Sequence, residues 1–438
     1  MSKRLDSLLL AAFSLLVAYL PFQLALNLTS DIDLMSGRIL ILGLFFVWLI
    51  KEFSQNKERL VSFIKEPASI FLITLFSLAA LSILVANNQV WGMRKLLVFA
   101  SIFPLFWLVK SFIKNAKDWQ KLAYVILGGA IISALVALAQ FLGQFIFGQE
   151  VVMGFWTEHI LPLFSGAQFG SLVAASPSWQ VAIGGQTIMR AIGLFPDPHM
   201  LSFYLGLTSP LALAWALFSK KRRLVFFIIY FLLFIVLLLT FSRGGYLGVI
   251  SSLIVLAFFG GRSFGAKAKK FFFASLMVAA VIFLFFGWPV VSRLFSSFDL
   301  SEGSNAGRLA IWQDSIEVIK KSPLLGVGLG NYSLSVGLGQ DYRNSITSHN
   351  LYLDILAETG LLGLASWLLL FWAAIKAAIK KIDQAPVVAF GILGALAYFL
   401  THSFFESAIF NPTVLAFLMV VLGLAVLRDE AIISQEKN

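Results

Sequence analysis

The sequence contains no cysteine, which excludes a disulfide framework, a thiolate nucleophile and a cysteine metal site. Charge is scarce as well. Asp, Glu, Lys and Arg make up 13% of the 438 residues, against roughly 25% in an ordinary soluble domain. A chain so poor in charge is not read as the two or three soluble domains its length alone would suggest. No basic patch in a polar segment is interleaved with aromatics, so the formal net charge of +11 is not read as a nucleic-acid footprint. Internal repeats and low-complexity tracts are missing too.

What is present is apolar. Hydrophobic residues reach 59%, with 44 Phe, and the mean hydropathy is +0.89. Runs long enough to cross a ~30 Å hydrocarbon core recur along the whole chain. They lie near Leu8–Leu26, Gly37–Leu49, Ala68–Val85, Leu96–Val109, Leu122–Phe145 and Met200–Phe218. The others lie near Leu224–Thr240, Tyr246–Phe259, Phe271–Trp288, Leu351–Ile375, Val387–Leu400 and Val414–Leu427. The expectation is an all-α polytopic membrane protein of about twelve spans, one integral domain over 1–438. The first run follows Met1-Ser-Lys-Arg4 but lacks a small-residue cleavage site, so it is read as a helix and not a signal peptide.

Lys and Arg divide unequally between alternate connections, as topology signals do. The larger share falls on Lys3, Arg4, Lys51, Lys57, Arg59, Lys65, Lys110 to Lys121, Lys220 to Arg223, Arg262 to Lys270, Lys376 to Lys381, Arg428 and Lys437. The smaller share comprises Arg38, Arg94, Lys95, Arg190, Arg243, Arg293, Arg308, Lys320, Lys321 and Arg343. This places both termini in the cytoplasm and explains the net charge through topology and anionic membrane lipids. Two outer connections are long, 149–199 and 289–350. Val151–Phe164 in the first reads as an interfacial helix. Asn305–Lys321 in the second has a helical period, with Leu309, Trp312, Ile316 and Ile319 on one stripe and Arg308 beside it.

The outer connections hold the chemistry. Arg190 precedes Phe195-Pro-Asp-Pro-His199, Arg243 sits in Ser242-Arg-Gly-Gly245, Arg308 opens the loop helix, and His349 lies in Ser348-His-Asn350. Guanidinium groups grip phosphate oxygens bidentately, and an imidazole near neutrality can take a proton from a hydroxyl. Together they fit glycosyl transfer from a lipid-linked diphosphate. Each also has a bland reading: Arg243 can snorkel to head groups, Arg308 can be a surface charge, and His349 can end a helix. The Pro-flanked turn at His199 admits either role, and His159 and His402 are assigned none. Gly326-Val-Gly-Leu-Gly330 lacks the strand–helix context of a phosphate loop and reads as a close-packed turn. Asp354 and Glu358 share a helix face, rotated roughly 140–180° from His349 at ~100° per residue, so they are read as packing against a neighbouring helix. A transporter would bind at the midplane on broken helices, whereas these spans read as mostly uninterrupted. The outer connections show no carboxylate cluster suited to a hard cation.

In order along 195–363, several motifs resemble the O-antigen ligase and polymerase superfamily. They are Phe195-Pro-Asp-Pro-His199, Phe241-Ser-Arg-Gly-Gly-Tyr246, Gly307-Arg-Leu-Ala-Ile-Trp312, Ser322-Pro-Leu-Leu-Gly-Val-Gly-Leu-Gly-Asn-Tyr332, Ser348-His-Asn-Leu-Tyr352 and Ala357-Glu-Thr-Gly-Leu-Leu-Gly363. The resemblance implies a helical, lipid-phosphate-dependent glycosyltransferase (GT-C-like) architecture in a bacterial inner membrane, with its active site on the outer, periplasmic face. It implies an undecaprenyl-diphosphate-linked glycan donor, a glycolipid, glycan or protein acceptor, and neither metal nor cofactor. Carried over by motif, His349, Arg243 and Arg190 are the expected catalytic residues. Arg308, Asn350, Tyr332 and His199 are the expected substrate-binding ones, although many relatives are expected to carry Asn where His199 stands. The ligase reading is taken first, with a repeat-unit polymerase as its alternative.

Overall fold

The structure, a computed structural model, describes residues 2–29, 32–55, 57–167, 171, 177–183, 185–219, 221–285, 303–337 and 346–427. Expectations for 289–302 and 338–345 of the second long connection lie outside the described residues, as do those for Lys220, Arg293, Arg343, Arg428 and Lys437.

Among the described residues, helices cover most of the anticipated apolar segments, although Leu8–Leu26 ends in a strand and 286–288 of Phe271–Trp288 lie outside the described residues. The first six are α1 (Ser2–Tyr19), α2 (Ser36–Gln55), α3 (Lys57–Ile64), α4 (Pro67–Ser82), α5 (Gln89–Ile102) and α6 (Pro104–Phe112). Next come α7 (Ala116–Phe147), the short α8 (Gln149–Phe155) and α9 (Leu161–Phe164), α10 (Pro198–Phe218), α11 (Arg223–Leu239) and α12 (Arg243–Ser263). The series ends with α13 (Ala266–Phe285), α14 (Gly303–Lys321), α15 (Tyr332–Ser335), α16 (Leu351–Lys380), α17 (Pro386–His402) and α18 (Pro412–Ala425). Starts are written locally. Pro occupies the first turn of α4, α6, α10, α17 and α18, where its missing N–H costs nothing. Asn115, Asp197, Ser242, Asn350 and Asn411 cap helices through their side-chain oxygens.

Among the described residues, seven helical segments are long and apolar enough to cross a membrane by length and composition. Three shorter apolar helices, Arg223–Leu239, Pro386–His402 and Pro412–Ala425, accompany them. The chain is an all-α, multi-pass membrane protein. Helix α10 is its centre, buried on nearly every side and packed against α11 and α17, while α12 lies against α17 and α4 against α16. The approach of α10 and α12 to α17 is close: a Cβ at Gly206 or Gly248 would collide with the Tyr398 ring. The Tyr398 hydroxyl lies 2.8 Å from Ser202 Oγ on α10.

Four departures from the sequence reading have physical causes. The fourth apolar run divides at Phe103 into α5 and α6, because Pro104 cannot continue the hydrogen-bond ladder of a helix interior. The run after His349 is not uninterrupted: α16 breaks at Gly360, whose φ of 68° and ψ of −172° are non-helical. Two short antiparallel hairpins appear, β1 (Ala25–Thr29) with β2 (Ile32–Met35) and β3 (Gln180–Ile183) with β4 (Gln186–Met189). The buried face of α14 is rotated from the expected stripe. Ser315 and Val318 point inward and Ile316 is exposed, because the Tyr332 hydroxyl takes the Ser315 hydroxyl at 2.7 Å.

The expected interfacial segment Val151–Phe164 is helical through α8, a π-turn at Trp156–Ile160 and α9. Val152 and Leu161 face a satellite core with Trp179, Met189 and Ile192, while Val151, Phe155 and Leu163 are exposed.

Candidate active site

Five chain segments bring polar side chains to one end of the bundle: the starts of α10, α12 and α16, the α17–α18 connection, and the segment after β4. At the start of α10, the Asp197 carboxylate accepts from the backbone N–H of His199 at 2.7 Å and of Met200 at 3.0 Å. That cap sets the backbone at His199, whose ring Nδ1 lies 3.0 Å from Ser242 Oγ. Ser242 caps α12, and its hydroxyl also lies 3.1 Å from Nε2 of His402, the last residue of α17. The glycines after Arg243 serve close approach and not turn geometry. A Cβ at Gly244 would stand 2.5 Å from His402 Cδ2, so the α11–α12 connection can rest directly on the α17–α18 connection.

The second half of the cluster begins at His349, just ahead of α16. Its Nδ1 lies 3.1 and 3.2 Å from the two carboxylate oxygens of Glu406. Glu406 is buried, while the His349 side chain is 40% exposed. The His349 pKa is raised by the charge and hydrogen bond of Glu406, against burial and Arg308, which lower it. Burial pushes the Glu406 carboxyl up, but His349, His199 and Arg308 outweigh it and hold Glu406 well below the usual carboxylate range. These shared influences put His199, His349, Glu406 and Arg308 within one electrostatic neighbourhood. Asp197 belongs to it too. Burial and the Glu406 charge push its carboxyl up to about 6, while two backbone N–H groups and Arg190 pull the other way.

Two non-glycine residues have positive φ among the described residues, Phe241 at 47° and His349 at 52°. Both lie in this cluster. Such conformations cost of order 1–3 kcal/mol and gather at functional sites.

The expected site residues thus have definite places. Arg190 is buried; its Nε donates to Thr240 O and its Nη1 to Ser178 O, each at 2.7 Å, tying the first long connection to the α11–α12 connection. Arg243 is buried in the first turn of α12, beside Ser242. Arg308 lies on α14, which is tied to the residue before His349 by a Trp312 Nε1 bond to Ser348 O at 3.0 Å. Asn350 caps α16, its oxygen accepting from Tyr352 N at 3.0 Å and Leu353 N at 3.2 Å. Tyr332 is buried with its hydroxyl on Ser315. Both therefore occupy scaffold positions, whatever else they touch. His159 is exposed, with its ring against Phe155.

Sequence reasoning missed Asp197, Ser242, His402 and Glu406. His402 had been given no task, yet it shares a hydroxyl with His199. A signal existed in Thr401-His-Ser-Phe-Phe-Glu406, a polar stretch between two apolar runs on the side that carries His349. The expected close-packed turn at Gly326–Gly330 lies against the broken stretch of α16, with Val327 N donating to Ala357 O at 2.8 Å and Gly328 N to Glu358 O at 3.1 Å. Glu358 pairs with Lys95 on α5 at 2.6 Å, and Asp354 accepts from Ser407 Oγ and, at 2.8 Å, from Ser348 N. Both carboxylates do bind neighbouring elements. Among the described residues, no three His, Asp or Glu side chains are grouped to hold a metal ion.

Residues 228–368 match the family model described as O-antigen ligase. That stretch includes Arg243, Arg308 and His349 and stops short of His402 and Glu406. The chain is also 32% identical over 120 residues to the exopolysaccharide production protein ExoQ of Rhizobium meliloti (strain 1021), an alignment covering 24% of this chain and 27% of that protein. These matches support the O-antigen ligase and polymerase superfamily for this multi-pass helical chain.

Proposed function

We propose that the protein is an inverting glycosyltransferase that moves a glycan from an undecaprenyl-diphosphate donor to an acceptor hydroxyl on the outer face of a bacterial inner membrane. In this reading the twelve helices cross the bilayer in a GT-C-like arrangement with both termini cytoplasmic. The cluster then lies on the side opposite the Lys-rich connections. One observation carries the proposal: His349 is held at Nδ1 by Glu406 in a strained backbone, within reach of the Arg308 charge.

Holding Nδ1 leaves Nε2 to take a proton. The acceptor oxygen attacks the anomeric carbon of the donor as its proton passes to His349 Nε2. The bond from that carbon to the diphosphate oxygen breaks, and its electron pair leaves with the diphosphate. A single displacement inverts the anomeric centre. Arg190, Arg243 and Arg308 are fixed positive charges placed to neutralise the leaving group, a task performed without metal or cofactor in this proposal. The favoured acceptor is a glycolipid, glycan or protein, as for a ligase. A polymerase, whose acceptor is another repeat unit, is the second reading, favoured by the likeness to an exopolysaccharide production protein.

The test is glycan transfer in membranes supplied with polyprenyl-diphosphate-linked donor, mixed acceptors and a chelator, at matched protein levels. New glycoconjugate from the wild type, and none from His349→Ala or Arg243→Ala, supports the proposal, and the product separates ligase from polymerase. Wild-type transfer by both variants would remove these residues from the mechanism.

A further inference from the structure

The Ser242 hydroxyl stands between two imidazoles. His199 Nδ1 lies 3.0 Å from it and His402 Nε2 3.1 Å, while the backbone N–H of Gly245 donates to the same oxygen at 3.3 Å. A hydroxyl has one proton and two lone pairs. With Gly245 on one lone pair, Ser242 must donate to one imidazole and accept from the other, so the tautomers of the two rings are linked. Either His402 Nε2–H donates to Ser242 and Ser242 to His199 Nδ1, or the whole chain runs in reverse.

His402 decides the direction. It is fully buried, its ring stacks on Phe203 at 3.7 Å between centroids and 5° between planes, and its Nδ1 has no hydrogen-bond partner among the described residues. The reversed chain would put the His402 proton on that Nδ1. A buried orphan N–H is rarer and costlier than a bare ring lone pair.

We infer that Ser242 and His402 hold His199 with Nδ1 bare and Nε2 protonated, a fixed neutral donor of one hydrogen bond to a phosphate oxygen of the substrate. The charged groups that act on this ring, Arg190, Glu406 and Arg308, include two of those assigned above to the diphosphate. The identity of the ligand rests on the proposed function, whereas the tautomer does not.

The experiment is nitrogen NMR of the full-length protein in nanodiscs, with labelled imidazoles. Only four histidines are present, so single variants assign them. Expected is a His199 ring protonated at Nε2 alone, whose Nε2 signal shifts when inorganic pyrophosphate is added. Ser242→Ala should let the ring populate both tautomers. His402→Phe keeps the stack on Phe203 but removes the donor, and should weaken pyrophosphate binding about tenfold. His402→Gln, whose amide N–H replaces the imidazole donor, should recover it. A His199 proton on Nδ1 in the wild type overturns the inference without any variant having to fold, and a His199 signal unmoved by saturating pyrophosphate overturns its ligand half. If His199 behaves as expected while His349→Ala still transfers glycan, the inference stands and the proposed mechanism falls.

Discussion

At its start, helix α16 follows His349, whose ring meets Glu406 through one nitrogen only. Its side chain remains 40% exposed, on a backbone with φ of 52°. Further along the same helix, Glu358 meets Lys95 through both carboxylate oxygens, at 2.8 and 2.6 Å, and Lys95 Nζ also lies 3.5 Å from the centroid of the Phe410 ring. The helix breaks there at Gly360, yet the freed backbone is occupied. Leu361 N donates to Pro323 O at 2.9 Å, and the Ala357 and Glu358 carbonyls accept from Val327 and Gly328. An ionisable pair and a broken span would, taken alone, suggest a transport site. Here the strong hydrogen-bonding capacity is consumed inside the protein, which is what a brace requires. At His349 it is not, and strain is present as well. Burial of charge therefore distinguishes the two regions less well than the capacity each leaves for a ligand.

Substitutions should separate the two. His349→Ala should lower transfer about 10²–10⁴-fold, the range for loss of a general base. Its stability should fall by less than that of Lys95→Met, because the His349 side chain is 40% exposed and Arg308 still acts on the Glu406 carboxylate. Lys95→Met should show the reverse. It strands the buried Glu358 carboxylate at a cost of about 3–5 kcal/mol, read by thermal unfolding in detergent, while transfer per folded molecule holds. Lys95→Met with Glu358→Leu should recover most of that stability, since replacing a whole buried pair by apolar groups is often neutral. Loss of transfer from Lys95→Met at unchanged stability would break the comparison.

Glu406→Gln sharpens it through pH. Glu406 raises the His349 pKa above its ordinary 6.5, and the base works only when neutral, so wild-type transfer should rise with pH through that elevated value. In Glu406→Gln this acidic limb should move to lower pH, while the plateau falls at least about tenfold as the ring loses its orienting partner. The stability signs run in opposite directions. The raised His349 pKa contributes stability that is complete below 6.5 and lost as pH rises through the folded value. The depressed Glu406 pKa contributes stability present above 4.5 and lost as pH falls through its folded value. The destabilisation caused by Glu406→Gln should therefore be greatest near about pH 5–6 in denaturation series.

Much of this architecture is written in local signals. Apolar runs, first-turn prolines and capping Asn, Asp and Ser residues set the helices, so Met200–Phe218 and Leu351–Ile375 could be read within a few residues. The Pro104 division was not read, because interior proline does not always divide a helix: Pro210 lies within an unbroken α10. Less legible were features made by tertiary contact. Gly360 breaks α16 where Leu324 presses on it, and nothing within the α16 sequence announces that neighbour. His349 could be singled out by its place before a span, but Glu406 lies 57 residues away in another connection. No helical or strand period links residues so far apart. His402 was passed over because its role depends on a hydroxyl supplied by Ser242, 160 residues upstream.

The smallest expected effect belongs to Asp197→Asn. Asp197 lies within the cluster, but its visible work is to cap α10 through one oxygen that accepts from His199 and Met200 N–H groups. Asn caps as well as Asp, so the geometry should survive. The charge is another matter. Burial and Glu406 push the carboxyl up to about 6, above the 3.8 it takes when free, so at pH 7.5 the ionised form is less favourable folded than unfolded. As pH falls through about 6, the folded protein binds a proton that the unfolded chain does not yet bind, and that disadvantage disappears. Asp197→Asn should thus be neutral or slightly stabilising at pH 7.5, within about 1 kcal/mol. The difference should shrink as pH falls below about 6 and reach zero only below the free value of 3.8, with transfer close to wild type throughout. A loss of transfer in Asp197→Asn at intact stability would show that the carboxylate charge itself is used. Asp197 would then move from the bracing residues to the chemical ones, and the border between the two classes would run through the α10 cap.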